Sequence, residues 1–257
     1  MSAPAGAIQV ANVGKTFSRD GTAALEALRD VTVDIRPGEF VAFVGPSGCG
    51  KSTLLKLIGG LLEPTSGRIT VDGTPVAGPR RGIGVMFQTP VLFPWRTVLE
   101  NVLLPSEVFG LERRAATEKA MSILELVGLA GREAAYPREL SGGMQQRAAL
   151  SRVLVSDPPI ILMDEPFGAL DEFTRERMNL EILRIWQERG QTIIFVTHSI
   201  AEAVFLADRV VVMGTSPGRV LSVVDVPLGR PRTIELMRSP QFASTVFEVR
   251  EYLGVAR

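Results

Sequence analysis

Short apolar runs alternate along the chain with longer stretches of helical spacing. Four runs have the length and composition of strands buried on both faces of a sheet. They are Phe40–Gly45, Ile160–Met163, Thr192–Val196 and Arg209–Met213. Helical patterns follow or separate these runs at Lys51–Leu61, Glu172–Glu188 and Ile200–Ala207. This order predicts an α/β fold in which helices cover a mostly parallel sheet.

Toward the N-terminus, the polarity alternates along shorter segments instead. Ile8–Val13, Val31–Ile35 and Arg68–Asp72 alternate in this way, and Pro37-Gly38 and Asp72-Gly73 supply turns. We therefore expect an N-terminal antiparallel β subdomain beside the parallel core.

The stretch from Val91 to Ser156 has helical periodicity and no strand pattern. Thr97 and Glu100 have the spacing of a capping box, and the amphipathic segment Glu112–Val127 ends at Gly128. We interpret this block as an inserted helical subdomain and not as a separate domain.

The organisation predicted from these patterns is a single domain over residues 1–257. Its core comprises residues 8–90 and 157–230, and the helical subdomain comprises residues 91–156. Residues 231–257 form a short tail with a helix start at Ser239-Pro240.

Composition and charge exclude several classes of protein. The chain has 257 residues, and 28 Lys plus Arg balance 28 Asp plus Glu, so the basic excess of a nucleic-acid-binding surface is absent. The single cysteine, Cys49, excludes an internal disulfide, and the single histidine, His198, excludes a histidine-built metal centre. No apolar run approaches the roughly 18–20 residues that cross a bilayer, and residues 1–6 lack an export-signal pattern. We therefore expect a cytoplasmic protein.

The first segment that carries chemistry follows the strand Phe40–Gly45. It matches G-x-x-x-x-G-K-[ST] between a strand and a helix, the context in which this pattern binds nucleotide phosphates. Its candidate ATP-binding residues are Gly45, Pro46, Ser47, Gly48, Cys49, Gly50, Lys51, Ser52 and Thr53. The glycines let backbone N–H groups surround an anion, Lys51 reaches the β- and γ-phosphates, and Ser52 offers its hydroxyl to Mg²⁺. Cys49 is either a small filler of this loop or, if exposed, a redox-active thiol.

The second segment is an apolar strand that ends in two carboxylates, Asp164 and Glu165. Burial of unpaired charges costs several kcal/mol each, so a magnesium–phosphate site explains this pair better than a structural role. Asp164 is placed to hold the metal, and Glu165 is placed to activate the attacking water.

The third segment is Leu140-Ser-Gly-Gly-Met-Gln145, which precedes a helical run. It supplies a second helix N-terminus suited to anions, with Ser141, Gly142, Gly143 and Gln145 as candidates. One fold needs only one such phosphate cradle, unless the second serves a neighbour's nucleotide.

With these three segments in order, the chain resembles the ATP-binding subunit of an ABC transporter, with a P-loop NTPase core. Within this family, the segments 88–102 and 164–171 are similar to those of importers of the nitrate, sulfonate and taurine group. The resemblance implies roles for four further residues. Gln88 matches the glutamine that senses metal and water, Asp171 matches the D-loop, and His198 matches the switch histidine. Phe17 matches the aromatic that stacks on adenine, although a core role for it stays open.

The resemblance also implies cofactors and partners. ATP and Mg²⁺ are the expected cofactors, with Ser52, Gln88 and Asp164 as metal ligands and with Glu165, His198 and Gln88 as catalytic residues. A homodimer would join the Lys51 of one subunit to the Ser141 of the other. The other expected partners are transmembrane permease subunits and, indirectly, an extracytoplasmic solute-binding protein. This places the chain peripherally on the cytoplasmic face of the membrane, powering uptake of a small solute. Phe93 and Trp95 either form a groove for the permease or pack beneath the helical block.

Three alternatives compete with a transport ATPase: a soluble ABC protein that acts on DNA or on the ribosome, a P-loop kinase, and a non-catalytic binding module. A soluble ABC protein acting on DNA would carry coiled coils between the phosphate loop and Asp164, and no heptads occur there. A ribosomal ABC protein would carry two cassettes in one chain. A P-loop kinase would leave Ser141–Gly143 unexplained, and a non-catalytic module would be expected to lack Glu165.

Overall fold

The computed structural model describes residues 6–19 and 22–254. Its strands are β1 (Ile8–Arg19), β2 (Thr22–Ile35), β3 (Phe40–Val44), β4 (Ser66–Val71), β5 (Thr74–Pro75), β6 (Ile83–Met86), β7 (Ile160–Asp164), β8 (Thr192–Val196), β9 (Arg209–Gly214) and β10 (Arg219–Asp225). Its α-helices are α1 (Lys51–Ile58), α2 (Val98–Phe109), α3 (Arg113–Leu126), α4 (Gly142–Val155), α5 (Glu172–Arg189), α6 (Ile200–Leu206) and α7 (Pro240–Tyr252). Short 3-10 helices lie at Pro137–Glu139 and Ile234–Arg238.

The strands form two sheets. The first has the order β2-β1-β4-β5, and its strands pair antiparallel. The second has the order β10-β9-β3-β8-β7-β6, in which every neighbouring pair is parallel except β10 with β9. The predicted fold class, an α/β core with a mostly parallel sheet and an antiparallel N-terminal sheet, is therefore confirmed.

Strand β3 shows how the core is divided. Side chains alternate between the two faces of a sheet. Val41 and Phe43 accordingly pack in one apolar cluster with the antiparallel sheet and α1. Phe40, Ala42 and Val44 pack on the opposite face, against the remaining helices and the C-terminal tail. Both faces of the parallel sheet are covered, which explains why β3, β7 and β8 read as continuous apolar runs.

Helices α2, α3 and α4 lie in the stretch that was predicted to be helical. Thr97 and Glu100 form the predicted capping box at the start of α2. Glu112 caps α3 with its carboxylate, which accepts hydrogen bonds from the N–H groups of Arg114 and Ala115. The outer bounds of this subdomain, 91 and 156, stay a prediction.

Three strands, β5, β6 and β10, were missed by the periodicity, and helix α1 was predicted too long. Strand β5 has only two residues. Strand β6 contains Gly84 and has only four residues. Strand β10 lies at the edge of its sheet and buries only Val224 fully, so it lacks an apolar run. Helix α1 ends at Ile58 and not at Leu61, because Gly60 adopts a left-handed φ of 69°. Among the described residues, no helix is both long and apolar enough to span a bilayer.

Candidate functional site

The candidate residues follow neighbouring parallel strands at their carboxyl ends. The phosphate loop follows β3, Gln88 follows β6, and His198 follows β8. Asp164 is the last residue of β7, and Glu165 comes directly after it. Because these strands are parallel and adjacent, their carboxyl ends meet at one edge of the sheet. Residues far apart in sequence are thereby brought together.

The loop after β3 is folded around the ammonium group of Lys51. Lys51 Nζ donates hydrogen bonds to the carbonyl oxygens of Gly45 at 2.8 Å and Pro46 at 3.1 Å, and it lies 3.5 Å from the sulfur of Cys49. Cys49 is fully buried, which fits the filler interpretation and leaves its thiol inaccessible. The backbone carbonyls of the phosphate loop therefore bind the ammonium group of the loop's own lysine.

Glycine is required where this loop enters helix α1. Gly50 has a φ of 89°, and a Cβ atom there would lie 2.5 Å from Leu28 Cδ2. Gly50 is also the N-cap residue, and no side chain caps α1. The first N–H groups of the helix are consequently free of side-chain acceptors and available to an anion.

Ser52 and Asp164 connect the phosphate loop to the acidic end of β7. Ser52 Oγ donates a hydrogen bond to Asp164 Oδ1 at 2.8 Å. Burial raises the pKa of Asp164, and the hydrogen bond from Ser52 opposes this effect. A hydroxyl, a carboxylate and the nearby amide of Gln88 are hard oxygen ligands of the kind that suit Mg²⁺. The described residues contain no cluster of three His, Cys, Asp or Glu ligands, so such an ion would take further ligands from the nucleotide and water.

Glu165 is the meeting point of the catalytic candidates. Gln88 Nε2 donates to Glu165 Oε2 at 3.3 Å, and His198 Nδ1 lies 3.4 Å from the same oxygen. Glu165 has a left-handed φ of 45°, which is uncommon for a residue with a side chain. Its N–H donates to Val196 O at 2.9 Å, so the strained backbone is anchored to β8.

A cavity of about 730 Å³ opens in front of these groups. This volume lies within the range of roughly 300–1,000 Å³ that is usual for small-molecule sites. From the predicted set, the cavity is lined by Phe17, Ser47, Gly48, Gly50, Lys51, Ser52, Thr53, Gln88, Glu165 and His198. Phe17 is 37% exposed, which contradicts a core position and leaves its ring available for stacking.

Two lining segments were not predicted from the sequence. They are Leu25–Ala27 on strand β2 and Ser216–Gly218 in the loop between β9 and β10. Gly218 N donates to Ala27 O at 3.1 Å, and Arg29 N donates to Gly218 O at 2.9 Å, so the two segments form one wall. Ser216-Pro217-Gly218 has turn composition, but no feature of the sequence links this turn to the phosphate loop.

The signature and D-loop candidates lie away from this cavity. Ser141 is the N-cap of α4, and its hydroxyl accepts a hydrogen bond from Met144 N. Asp171 is the exposed N-cap of α5 and accepts from Thr174. A Cβ atom at Gly143 would lie 2.8 Å from Leu170 Cδ2, so these two helix starts are packed together. Ser141, Gly142, Gly143, Gln145 and Asp171 do not line the described cavity.

Comparison with known proteins tests the resemblance. Residues 28–168 match the protein family described as ABC transporter. This chain belongs to the ABC transporter family. Among the relatives of this ABC protein is an uncharacterised ABC transporter ATP-binding protein of Methanocaldococcus jannaschii. It is 48% identical over 225 residues, covering 88% of this chain and 84% of the relative. The aliphatic sulfonates import ATP-binding protein SsuB of Bacillus cereus is 40% identical over 248 residues, covering 96% of this chain and 97% of the relative.

Solved structures support the same assignment for the ABC fold. A dimeric ATP-binding cassette in a post-hydrolysis state, bound to ADP and phosphate, is similar with a TM-score of 0.79 and 35% identity. The match covers 86% of this chain and all of that one. A dimeric bacterial ABC transporter cassette is similar with a TM-score of 0.79 and 36% identity. The family resemblance and the fold predicted from the sequence are therefore confirmed.

Proposed function

We propose that this ABC protein hydrolyses ATP at the described cavity and thereby powers uptake of a small solute through a membrane permease. The observation that carries the proposal is the convergence of Lys51, Ser52, Gln88, Glu165 and His198 on one cavity. These residues come from separate strand ends, and a purely structural role explains neither their chemistry nor their common position.

Binding of the nucleotide rests on the phosphate loop and Phe17. Lys51 would exchange the carbonyls of Gly45 and Pro46 for phosphate oxygens, which are stronger acceptors for an ammonium. The uncapped N-terminus of α1 adds its N–H groups and its dipole. Phe17 and the wall formed by Leu25–Ala27 and Ser216–Gly218 provide the far end of the cavity for the base.

Hydrolysis requires a group that orients and polarises water. Glu165 is the candidate base, and it is held by Gln88 on one side and faced by His198 on the other. Mg²⁺, held by Ser52, Asp164 and Gln88, would neutralise charge on the phosphates when bound. His198 is 64% exposed in its side chain, so it can reach a phosphate placed in the cavity.

Completion of the site requires a second copy of the chain. Ser141 and Gly142 are exposed at the start of α4 and do not line the nucleotide cavity of the same subunit. Residues that donate hydrogen bonds to a nucleotide bound by a second subunit must be exposed in this way. The similar cassettes of known structure are dimers. We infer a head-to-tail homodimer in which Ser141, Gly142, Gly143 and Gln145 of one subunit complete the γ-phosphate site of the other, with Asp171 at the seam.

The permease surface is proposed around the loop between Gln88 and Thr97. Trp95 is 70% exposed and stacks on Phe93 with ring centroids 5.1 Å apart, which favours a docking role over packing beneath the helices. The buried Asn101 holds this loop by accepting from Phe93 N and donating to the carbonyls of Phe93, Arg96 and Thr97. The aromatic pair is therefore displayed on a fixed loop.

The solute and the location of the protein follow from this importer role. A relative that matches nearly the whole chain is named for import of aliphatic sulfonates. Nitrate, sulfonates and taurine are small solutes that each carry an oxyanion group, and we propose this class as the cargo. The subunit would lie peripherally on the cytoplasmic face of the membrane and depend indirectly on an extracytoplasmic binding protein. It would have no nucleic-acid partner.

The decisive experiment is co-purification followed by transport. The full chain would be co-expressed with a candidate permease, reconstituted in vesicles and supplied with Mg-ATP. ATP-dependent uptake of labelled taurine, alkanesulfonate or nitrate, abolished by Glu165→Gln, is expected. A wild-type protein that hydrolyses ATP at full rate as a strict monomer, or that binds no permease, would contradict the proposal.

A further inference from the structure

A further group of polar residues lies next to His198. It lines a small cavity shared by Glu165, Phe167, Gly168, Arg175, Thr197, His198, Ser199 and Glu202. Arg175 belongs to α5, and Glu202 belongs to α6, so the cavity separates the helix that begins at Asp171 from the loop that carries His198. The function proposed above assigns no role to Arg175, Thr197 or Glu202.

The Glu202 carboxylate does not make the hydrogen bond that its position in α6 predicts. Ser199 is the N-cap of α6 and Glu202 is its third residue, the spacing of a capping box. In a capping box, the acid accepts a hydrogen bond from the N-cap backbone N–H. Here Ser199 N donates to Thr197 Oγ1 at 3.1 Å instead, and Thr197 Oγ1 donates to Glu202 Oε2. The carboxylate therefore holds the residue before His198 and not the start of its own helix.

This arrangement clamps the backbone on both sides of His198. Thr197 N donates to Phe43 O on strand β3, and Glu202 N donates to Ser199 Oγ at 3.3 Å. Thr197 and Ser199 are thus both tied to Glu202, and the imidazole between them projects toward Glu165. Among the described residues, the Thr197 hydroxyl is the link between this turn and the Glu202 carboxylate.

Arg175 extends the arrangement toward the D-loop. Arg175 Nη2 donates to Leu170 O at 3.1 Å, next to Asp171. Arg175 Nε and Glu202 Oε1 are both buried, and neither makes a hydrogen bond of ordinary geometry among the described residues. Asn179 of α5 also lies close to the Glu202 carboxylate. A guanidinium N–H and a carboxylate oxygen that line one small cavity are complementary in charge and in hydrogen bonding.

We propose that Glu202, Thr197 and Arg175 form a positioning relay that orients His198 for hydrolysis and connects it to the segment around Asp171. This inference rests on the proposed function and deepens it. The relay acts through His198 and touches no substrate, so its members are positioning residues. Closure of the dimer at Asp171 would be transmitted through Leu170 and Arg175 to Glu202 and then to the turn at His198.

The test compares isosteric and conservative variants of Thr197 in the full-length protein. Thr197→Val removes the hydroxyl at nearly constant volume, whereas Thr197→Ser keeps it. We expect Thr197→Val to lower kcat for ATP about tenfold with KM changed less than about twofold, since the lost interaction serves the reacting state and not nucleotide binding. Thr197→Ser should restore kcat to within about threefold of the wild type. Thr245→Val is the matched control, because Thr245 is equally buried but donates only to Gln241 O within the tail helix α7.

A double-variant cycle tests the relay itself. Glu202→Leu should lower kcat like Thr197→Val, and the combined variant should fall little further, because one link is broken in each case. Arg175→Met should likewise be non-additive with Glu202→Leu. If Thr197→Val does not fold, as judged by its melting curve, Glu202→Leu and Arg175→Met provide the same cycle.

Two results would overturn the relay. One is a full wild-type kcat in Thr197→Val and Glu202→Leu. The other is a loss that appears only as a raised KM, or equally in Thr197→Ser. These results differ from failure of the proposed function, in which the wild-type protein itself would show no ATP hydrolysis.

Discussion

Ser52 and Asp164 are 112 residues apart in the chain, yet the Ser52 hydroxyl donates a 2.8 Å hydrogen bond to the Asp164 carboxylate. Ser52 is on the first turn of α1, and Asp164 is the last residue of β7. This direct contact joins the phosphate loop to the acidic end of β7. It would preorganise the proposed site for a nucleotide and Mg²⁺.

Glu165→Gln should keep ATP binding and abolish turnover. The amide has nearly the same shape but cannot accept a proton, so kcat should fall at least about a hundredfold. We also expect the variant to accumulate as a nucleotide-bound dimer, measured by size-exclusion chromatography with Mg-ATP. Glu248→Gln, an exposed residue of α7, is the control. Wild-type-like hydrolysis by Glu165→Gln would refute the catalytic assignment.

Lys51→Ala should weaken ATP binding by about tenfold or more, because a charge-assisted hydrogen bond to phosphate is lost. A filter-binding or fluorescence titration measures the change. Lys119→Ala removes a half-buried lysine that pairs with Asp157 and does not line the cavity, so it should leave the affinity intact. Retention of wild-type affinity in Lys51→Ala would show that the phosphates bind elsewhere.

Phe17→Ala should raise the dissociation constant for ATP about tenfold, the scale of one base-stacking contact. Phe17→Tyr keeps the ring and should bind ATP like the wild type. Phe247→Ala, which removes another exposed phenyl ring, is the matched control. If Phe17→Ala binds ATP normally, the base is held by the opposite wall of the cavity.

Trp95→Ala should weaken association with the permease about tenfold or more, as expected for an exposed aromatic at the centre of an interface. Association would be measured by pull-down and by stimulation of ATP hydrolysis in reconstituted vesicles. Tyr252→Ala, at an exposed tail position, is the comparison. Unchanged association in Trp95→Ala would remove the segment Gln88–Thr97 from the permease surface.

Glu202→Gln should stabilise the ligand-free protein at neutral pH but not in acid. Burial raises the pKa of Glu202 above its ordinary value, so the folded state favours the protonated form. Stability from this group is present below the unfolded pKa of about 4.3 and is lost as the pH rises through the folded pKa. The melting temperature of the variant should exceed that of the wild type at pH 7 to 8, and the difference should vanish near pH 4. An advantage that is greatest in acid would mean that the pKa is lowered.

Features that depend on contiguous residues could be predicted from the amino-acid sequence. The phosphate loop needs only a strand, a glycine-rich turn and a helix start in succession, so its pattern predicts its geometry. The capping box at Thr97 and the apolar strand that ends at Asp164 are local in the same sense. The order of these segments was sufficient to identify the family.

The tertiary structure is needed to show which residues that are far apart in sequence contact one another. The register of the parallel strands brings Gln88 within hydrogen-bond distance of Glu165. The hydrogen bond between Ala27 and Gly218 forms a cavity wall that no sequence pattern predicted. The left-handed backbone of Glu165 and the diversion of Glu202 from its own helix cap to Thr197 also depend on surrounding packing. The physical reason is that local hydrogen bonds are specified by spacing along the chain, whereas contacts across the sheet are specified by the burial of both faces and by strand register.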